Sequence, residues 1–298
     1  MNLFNEEIEQ QAIERIQKFA KIAKAMGLEV SLGFSGGKDS QVCYDLCKRS
    51  GINFKPHFNH CFESNITIRF IRDNYPNVIF RRVVKEGFIR NIRVNHKGLL
   101  PTVQTAYCCE DYKHNPKSVD SCSIVGVRKA ESSKRKARTV FEARNKTIMK
   151  RNKALFNDYF EDRCKSIGSS GLIQLKPIVD WADEDIWDYI KRYNLPVNPE
   201  YKTSNRVGCI VCPKADFKSN YIGLMKYPKL IDAFILAREK GGIKIDWMIT
   251  SENIDCEEDK PYYICRWLNH SFMPFTKKQA VLYKKFREGY DKIKNTRS

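Results

Sequence analysis

The residues of this chain that are best suited to chemistry lie in a short glycine-rich turn, Ser35-Gly36-Gly37-Lys38-Asp39-Ser40. Two glycines allow the backbone to fold tightly and to bring N–H groups toward an anion, and a helix that starts here adds a favourable field. The lysine supplies positive charge, the serines supply hydroxyl groups, and the aspartate is a suitable ligand for Mg²⁺ beside phosphates. The pattern therefore predicts a phosphate-binding loop.

The spacing of this loop separates it from two well-known phosphate-binding patterns. It is not Gly-x-x-x-x-Gly-Lys-Ser/Thr, which disfavours an ordinary P-loop nucleotide hydrolase, and it lacks the Gly-x-Gly-x-x-Gly dinucleotide fingerprint. The competing interpretation is a polar turn that only caps a helix. Because a strand is predicted before the turn and a helix after it, phosphate binding is favoured.

Cysteines are the second group with chemical potential, since the chain has 11 of them. The N-terminal residues are acidic and no apolar segment follows them, which argues against secretion and favours a cytoplasmic protein with reduced thiols. Cys108 and Cys109 are adjacent, and Cys209 and Cys212 form a Cys-x-x-Cys turn that can chelate one centre. We expect metal binding or thiol chemistry at these four residues. Three other cysteines are expected in the core, Cys43, Cys47 and Cys61, and four stay unassigned, Cys122, Cys164, Cys256 and Cys265.

The elements that must position these residues follow from the pattern of apolar side chains. Helical spacing predicts a helix over residues 5–26, and further helices are predicted over 41–50, 66–75 and 183–193. Apolar or alternating runs predict strands over residues 29–34, 53–59, 78–84, 123–127 and 172–179, and partly helical structure is expected over 130–160. Strands that alternate with helices imply a parallel sheet covered on both faces.

Length and composition are those of a globular protein with one large domain or two modest ones. The chain has 298 residues, of which 42% are hydrophobic and 30% charged, so extensive disorder is excluded. The chain contains no run of 18 apolar residues, so no membrane span is expected. Because the chain becomes helical after the Cys-x-x-Cys turn, we expect a first domain over residues 1–205 and a small Cys-containing helical region over 206–298.

The glycine-rich turn after a strand resembles the PP-loop of ATP pyrophosphatases, whose members include the phosphoadenosine phosphosulfate (sulfonucleotide) reductases. Three further segments resemble the reductase branch in the same order: residues 126–138 resemble its substrate loop, residues 176–187 the start of its late helix, and residues 206–209 its Arg-x-x-Gly-Cys element. The resemblance extends over about residues 28–215. It implies an adenine nucleotide alpha hydrolase-like, Rossmann-like α/β domain that binds ATP.

The resemblance also implies roles for individual residues. Lys38 and Asp39 would be catalytic, with Mg²⁺ beside them, and the whole turn would bind the nucleotide. Arg128 would bind a second anion through bidentate bonds, with Glu131 to orient it and Arg135 nearby. The alternative is a surface ion pair between Arg128 and Glu131.

The cysteine pattern resembles the ligand set of the iron–sulfur branch of these reductases. A tandem pair, Cys108 and Cys109, and a distant Cys-x-x-Cys pair, Cys209 and Cys212, would bind a [4Fe–4S] cluster. A Cys₄ Zn²⁺ site and uncoordinated thiols are the alternatives.

One departure from the reductases bears on the activity. Their C-terminal Glu-Cys-Gly-x-His tail carries the thiol that attacks sulfur, whereas no cysteine follows Cys265 here. Cys256 and Cys265 are the available substitutes. The combination instead resembles the PP-loop proteins of DNA phosphorothioation, in which ATP adenylylates an oxygen and sulfur then displaces AMP. The alternatives are sulfonucleotide reduction, tRNA thiolation and a non-enzymatic nucleotide-binding scaffold.

The surface charge favours polyanionic partners. The net charge is +18, and residues 128–153 hold 11 basic residues against two acids, Glu131 and Glu142. This segment predicts contacts with a nucleic-acid backbone, although a solvated helix face or a protein-docking surface are alternatives. The expected partners are ATP and a nucleic acid, and the resemblance to the phosphorothioation proteins adds a sulfur-donor protein such as a cysteine desulfurase; no membrane partner is expected.

Overall fold

Short apolar segments pair into a sheet in the computed structural model, which describes residues 3–82, 84–114, 122–143, 165–166, 173–245, 259–269 and 274–296. Two units are distinguished by their internal contacts. Unit 1 comprises Met1–His60, Asn65–Val83 and Lys113–Val207, and unit 2 comprises Cys61–Ser64, Val84–Tyr112 and Gly208–Ser298. Within the described ranges, no helix is both long enough and apolar enough to cross a membrane.

The described strands all belong to unit 1. They are β1 (Val30–Gly33), β2 (Lys55–Asn59), β3 (Ile79–Arg81), β4 (Cys122–Val125), β5 (Phe141–Ala143), β6 (Lys165–Ser166) and β7 (Ile173–Leu175). They form one sheet in the order β3-β2-β1-β4-β7-β5-β6. Neighbours are parallel except β5 and β7, which are antiparallel. The predicted parallel α/β fold class is confirmed.

Helices flank this sheet and bury their apolar faces. They are α1 (Leu3–Ala25), α2 (Lys38–Arg49), α3 (Asn65–Asn74) and the helix Asp183–Arg192. Helix α2 packs against α1 and against the helix Asp183–Arg192. Ile16 of α1, Leu32 of β1 and Leu46 of α2 are all 0% exposed. Burial of this kind stabilises by about 1.5–3 kcal/mol for each large aliphatic side chain.

The described part of the segment 130–160, residues 130–143, forms short 3₁₀ turns and then strand β5, where partly helical structure was expected. Residues 144–160 lie outside the described residues. The Phe141 ring packs edge-on against Phe19, with 6.0 Å between ring centroids, and Glu142 forms a buried salt bridge of 2.6 Å with Lys176. These distant partners favour the extended conformation, and a local sequence pattern does not contain them.

Unit 2 is built from helices over its described residues. They are Phe88–Val94, Tyr107–Cys109, Phe217–Lys226, Leu230–Lys240, Lys260–Leu268 and Lys277–Asn295. Its core is aromatic: the Phe234 ring centroid lies 6.2 Å from that of Phe88 and 5.0 Å from that of Trp267. The Trp267 indole N–H donates to the Pro101 carbonyl at 2.6 Å.

These contacts explain how the units divide the chain. Residues 61–64 and 84–112 belong to unit 2, although the sequence analysis places them in the domain 1–205. Phe88 and Pro101 lie in the second of these segments, and each contacts an aromatic residue from the C-terminal part of the chain. The C-terminal helices therefore share one core with a segment that precedes them by more than a hundred residues.

Candidate functional site

The glycine-rich turn lies at the carboxyl end of β1 and leads directly into α2. Gly36 is buried and has φ of +73°, a backbone conformation that other residues rarely adopt. A Cβ atom on Gly36 would lie 2.9 Å from Cγ1 of Ile71, so there is no room for a side chain. The strand–turn–helix arrangement that the sequence predicts is therefore present, with glycine required at its tightest point.

Hydroxyl groups organise the turn from within. The Ser40 hydroxyl accepts the Ser35 N–H at 3.1 Å and donates to the Gly37 carbonyl at 2.8 Å. The Gly37 N–H lies 3.3 Å from the Ser35 hydroxyl oxygen, which accepts it. Both serines thus hold the loop closed, as the N-terminal turn of an anion-binding helix requires.

Two buried side-chain amides that no sequence motif marks also hold the loop. The Gly36 carbonyl accepts hydrogen bonds from Nε2 of Gln41 at 3.1 Å and from Nδ2 of Asn198 at 3.0 Å. Gln41 and Asn198 are 1% and 0% exposed. Because their partner is a main-chain atom, no motif marks either residue.

Charged groups adjoin the loop and form one network. The Arg128 side chain is 1% exposed, with Nε 2.5 Å from Oδ1 of Asp39 and Nη1 3.1 Å from the Trp181 carbonyl oxygen. Its Nη2 donates to Oδ1 of Asp183. The Lys38 Nζ lies 2.9 Å from that same Asp183 oxygen and 3.5 Å from Oδ1 of Asp39. Two cations and two carboxylates are thereby collected beside the turn.

The network sets the charge states of its members. Burial alone would lower the pKa of Arg128, but the Asp39 and Asp183 carboxylates raise it overall. Hydrogen bonds from Lys38 and Arg128 lower the pKa of Asp183. Arg128 therefore stays cationic and Asp183 anionic at neutral pH.

The substrate loop differs from its expected arrangement. Glu131 does not contact the Arg128 guanidinium; its Oε2 accepts the Arg128 main-chain N–H at 2.9 Å and pairs with Arg135. The expected orienting role of Glu131 toward the guanidinium is thus taken by Asp39 and Asp183. The sequence predicts Asp183 only as the first residue of the helix 183–193, and its place in the matching segment 176–187 is the signal that could have found it.

A tyrosine also reaches the phosphate loop. The Lys38 main-chain N–H donates to the Tyr201 hydroxyl at 2.9 Å, and the Trp187 ring packs edge-on against Tyr201 with 5.3 Å between centroids. Burial raises the pKa of Tyr201 to about 12, so the phenol stays protonated at neutral pH. No sequence motif marks Tyr201.

The four cysteines singled out from the sequence all lie in unit 2. Cys108 and Cys109 belong to the one-turn helix Tyr107–Cys109, and Cys209 pairs with Glu63 in an antiparallel bridge. The pKa of the Cys108 thiol is raised by its hydrogen bond with Cys109, then by burial and by the neighbouring thiols of Cys109, Cys209 and Cys212. This mutual influence indicates that the four sulfur atoms occupy one neighbourhood.

The Cys-x-x-Cys turn is held by a helix that follows it. The Asn220 side chain accepts the Cys212 N–H at 2.8 Å and donates to the Cys212 carbonyl at 3.0 Å. A Cβ atom on Gly223 would lie 2.0 Å from the Ile210 carbonyl oxygen. Glycine at this position therefore permits the helix Phe217–Lys226 to approach the turn closely. No sequence motif marks Asn220 or Gly223.

The thiols of the four clustered cysteines are suitable ligands for a soft metal centre, but their positions do not form a ligand set. Four thiols are the usual protein ligands of a [4Fe–4S] cluster, and thiolates also suit Zn²⁺. Among the described residues, no group of three or more His, Cys, Asp or Glu side chains is arranged so that it could hold a metal ion. The chemistry of the donor set fits a cluster, although its present arrangement does not form a ligand set.

The remaining cysteines are core residues where the structure describes them. Four of them are 0% exposed, Cys43, Cys47, Cys122 and Cys265, and Cys61 is 6% exposed. Burial raises the pKa values of the first four thiols, which keeps them protonated. Cys164 and Cys256 lie outside the described residues.

The basic segment is only partly described, because residues 144–164 lie outside the described ranges. Its described cations largely have acidic partners: Lys129 pairs with Asp180 at 2.6 Å, Arg138 pairs with Glu142 at 3.0 Å, and Arg135 pairs with Glu131. The first part of this segment is therefore better neutralised than its local sequence indicates.

Comparisons with known proteins agree with the motifs. Residues 29–215 match the family described as phosphoadenosine phosphosulfate reductase domain. An uncharacterised protein of Methanocaldococcus jannaschii is 24% identical over 81% of this chain, and sulfate adenylyltransferase subunit 2 of Mesorhizobium japonicum is 26% identical over 65%. Adenosine 5'-phosphosulfate reductase 2 of Bacillus subtilis is 22% identical over 71% of this chain and 84% of its own length. The chain spans 55% of the first relative and 66% of the second.

One solved structure that matches this chain is the phosphoadenylyl-sulfate reductase of Candida auris. Its TM-score is 0.44, with 14% sequence identity over 70% of this chain and 96% of that chain. The family match covers more than half of this chain and includes the phosphate loop, the Arg128 loop and the Cys-x-x-Cys turn. The chain therefore belongs to the phosphoadenosine phosphosulfate reductase domain family.

Proposed function

We propose that the protein cleaves ATP between its α and β phosphates and transfers the adenylyl group to an acceptor oxygen, which prepares the acceptor for sulfur transfer. The observation that carries this proposal is the closed glycine-rich turn at the start of α2, with Lys38 beside it. An acceptor oxygen attacks the α phosphorus, the bond to the β phosphate breaks, and pyrophosphate leaves. The name of one relative, a sulfate adenylyltransferase subunit, supports adenylyl transfer as the reaction class.

The residues of the turn have separate roles in binding the nucleotide and in stabilising the leaving group. The main-chain N–H groups of Gly36 and Ser40 and the field of α2 bind the pyrophosphate part of the nucleotide, while the Ser35 and Gly37 N–H groups keep their hydrogen bonds within the turn. Lys38 stabilises the negative charge that develops on this leaving group. Asp183 holds the Lys38 ammonium through its 2.9 Å contact until the nucleotide arrives.

Asp39 is the candidate ligand for Mg²⁺. Its Oδ1 is held by Arg128 at 2.5 Å, and its Oδ2 has no hydrogen bond to any described residue. A carboxylate oxygen is the ligand that Mg²⁺ prefers beside phosphates, so Asp39 fits this role. Arg128 then acts as a positioning residue for Asp39, and the half-exposed Arg135 is the better candidate for the second anion, with Glu131 as its exchangeable partner.

The four clustered cysteines would hold the iron–sulfur group. Cys108, Cys109, Cys209 and Cys212 offer four thiols in one neighbourhood of unit 2. A [4Fe–4S] cluster there would supply one-electron chemistry. The chain's own contribution is to fix the Cys-x-x-Cys turn through Asn220.

The acceptor that we propose is DNA, and the net charge of +18 supports a polyanion. A non-bridging phosphodiester oxygen would take the adenylyl group. A cysteine desulfurase-type donor would carry the sulfur as a persulfide, and two electrons from a thiol reductant would release its outer sulfur as sulfide. Sulfide would then attack the DNA phosphorus, displace AMP and leave a phosphorothioate. The reductase names among the relatives favour sulfonucleotide reduction as the second candidate. Against it, Cys265 is fully buried and its thiol pKa is raised, so it is a poor nucleophile.

Product analysis tests the proposal. Incubation with ATP, Mg²⁺ and DNA should release AMP and pyrophosphate, and Lys38→Ala should lower the rate by about 10²-fold or more. Lys48→Ala, an exposed lysine on the same helix, is the matched control and should retain the rate. ADP and orthophosphate as main products would refute the reaction, and sulfite release from adenylyl sulfate with a thiol reductant would favour the reductase.

Metal analysis tests the cluster separately. Anaerobically purified protein should be brown and contain iron and sulfide in equal amounts. Cys109→Ser should remove most of the iron, whereas Cys43→Ser, a change in the core of unit 1, should not. An active, iron-free preparation with one Zn²⁺ would replace the cluster by a structural zinc site.

A further inference from the structure

The Tyr201 phenol lies directly over the phosphate loop. Its hydroxyl oxygen accepts the Lys38 main-chain N–H at 2.9 Å, and it would lie 3.4 Å from a Cβ atom built on Gly37. The N–H groups in the first turn of a helix are those that bind anions. The phenol therefore lies beside the main-chain N–H groups that would bind phosphate in the proposed reaction.

This phenol retains a proton that it can donate. A tyrosine hydroxyl has one O–H donor and can accept through its oxygen, and Lys38 uses the accepting side. No described residue accepts the Tyr201 O–H. Because burial raises the pKa of Tyr201 to about 12, the proton is present throughout the neutral range.

The segment that carries Tyr201 is tied to the loop at a second point. Asn198, which is 0% exposed, donates through Nδ2 to the Gly36 carbonyl at 3.0 Å. Its Oδ1 accepts the Glu200 N–H at 3.0 Å and so caps the 3₁₀ turn Pro199–Lys202, on which Tyr201 lies. One asparagine therefore fixes both the loop carbonyl and the turn that presents the phenol.

We propose that Tyr201 binds the nucleotide, with its O–H donating to the pyrophosphate part of ATP while its oxygen keeps the Lys38 N–H bond. The inference rests on the proposed function, since it takes ATP as the ligand. The pyrophosphate part is favoured over AMP because the Lys38 N–H belongs to the first turn of α2, where the helix field attracts the most highly charged group.

The test compares binding of two fragments of ATP to Tyr201→Phe. Calorimetry with pyrophosphate and Mg²⁺ should give a dissociation constant about tenfold or more above that of the wild type, the value of one hydrogen bond to a charged group. The dissociation constant for AMP should stay unchanged. Tyr193→Phe is the matched control, because the Tyr193 phenol donates to Glu9 at 2.7 Å within the same unit, and it should alter neither constant.

The remaining outcomes separate this inference from the function on which it rests. If wild-type protein binds pyrophosphate and Tyr201→Phe binds it equally well, the phenol only caps the helix and the inference is wrong. An equal loss of affinity for AMP and pyrophosphate would also overturn it, since a loosened pocket explains both; a thermal melt of the variant would show the loosening. If the wild type binds neither pyrophosphate nor ATP, the proposed function fails and the inference fails with it.

Discussion

Replacement of Arg128 by methionine probes whether its buried guanidinium supports the fold. The side chain is 1% exposed and makes three contacts, with Asp39, Asp183 and the Trp181 carbonyl. Methionine has a similar length and no donors, so it fills the space and removes the contacts. Among the described residues, the two carboxylates then keep only Lys38 as a nearby cation.

The expected cost follows from the exposure of each partner. The bond to Asp39, whose side chain is 18% exposed, is a charge-assisted contact worth about 1.5–3 kcal/mol, and the buried bond to the Trp181 carbonyl is worth about 1 kcal/mol. The contact with Asp183, which is 61% exposed, is screened by water and adds at most about 1 kcal/mol. We expect a loss of about 4 kcal/mol in the free energy of unfolding.

Urea unfolding of matched variants measures this loss. Arg128→Lys keeps the charge but cannot make the forked contacts, so we expect about half of the effect. Arg135→Met removes a half-exposed arginine with one acidic partner and should cost less than about 1 kcal/mol. A loss below about 1 kcal/mol for Arg128→Met, together with lost ATP binding, would refute the structural role and restore Arg128 as a direct ligand.

Three further outcomes test other parts of the structure. Gly223→Ala should shift the Cys-x-x-Cys turn and lower the iron content, because the new Cβ atom would lie 2.0 Å from the Ile210 carbonyl oxygen. Gly289→Ala is the control, since its Cβ atom would meet only the flexible end of the Met225 side chain. Equal iron contents in the two variants would contradict this expectation. Burial and two nearby cations lower the pKa of His57 from 6.5 to about 4, so the unfolded state binds more protons in between and stability should fall as pH drops through this window. A His57→Gln variant with the same pH dependence of its urea midpoint would refute that contribution. Replacement of Lys150, Arg151 and Lys153 by Glu changes three basic residues that lie outside the described residues. It should weaken DNA binding and reduce the log–log salt slope by about 0.7 for each lost contact with a single-strand phosphate. Binding equal to that of the wild type would make the segment a solvated or protein-docking face.

Local sequence determined the parts of this protein that depend on near neighbours. The turn from Ser35 to Ser40 could be recognised because its glycines, hydroxyl groups and lysine act within one strand–turn–helix unit. Most helices and strands of unit 1 were predictable for the same reason, since the spacing of apolar residues decides which face is buried. The four cysteines could be chosen as a set because a tandem pair and a distant Cys-x-x-Cys pair resemble the ligand set of the iron–sulfur reductases.

Only the tertiary structure decided which groups face the loop. Asp183 and Tyr201 lie 145 and 163 residues from Lys38 along the chain, and they reach it because the helix Asp183–Arg192 packs on α2 and because Asn198 ties its turn to Gly36. The sequence suggested Glu131 as the partner of the Arg128 guanidinium, three residues away, whereas carboxylates from two other elements take that place.

The same reasoning applies to strand β5 and to unit 2. Strand β5 is extended because Phe141 and Glu142 find distant partners in Phe19 and Lys176. Cys108 and Cys109 meet the Cys-x-x-Cys turn because the segment 84–112 shares an aromatic core with the C-terminal helices. Burial of apolar surface between segments far apart in the chain outweighs local preference, and no local pattern records which distant segment supplies the partner.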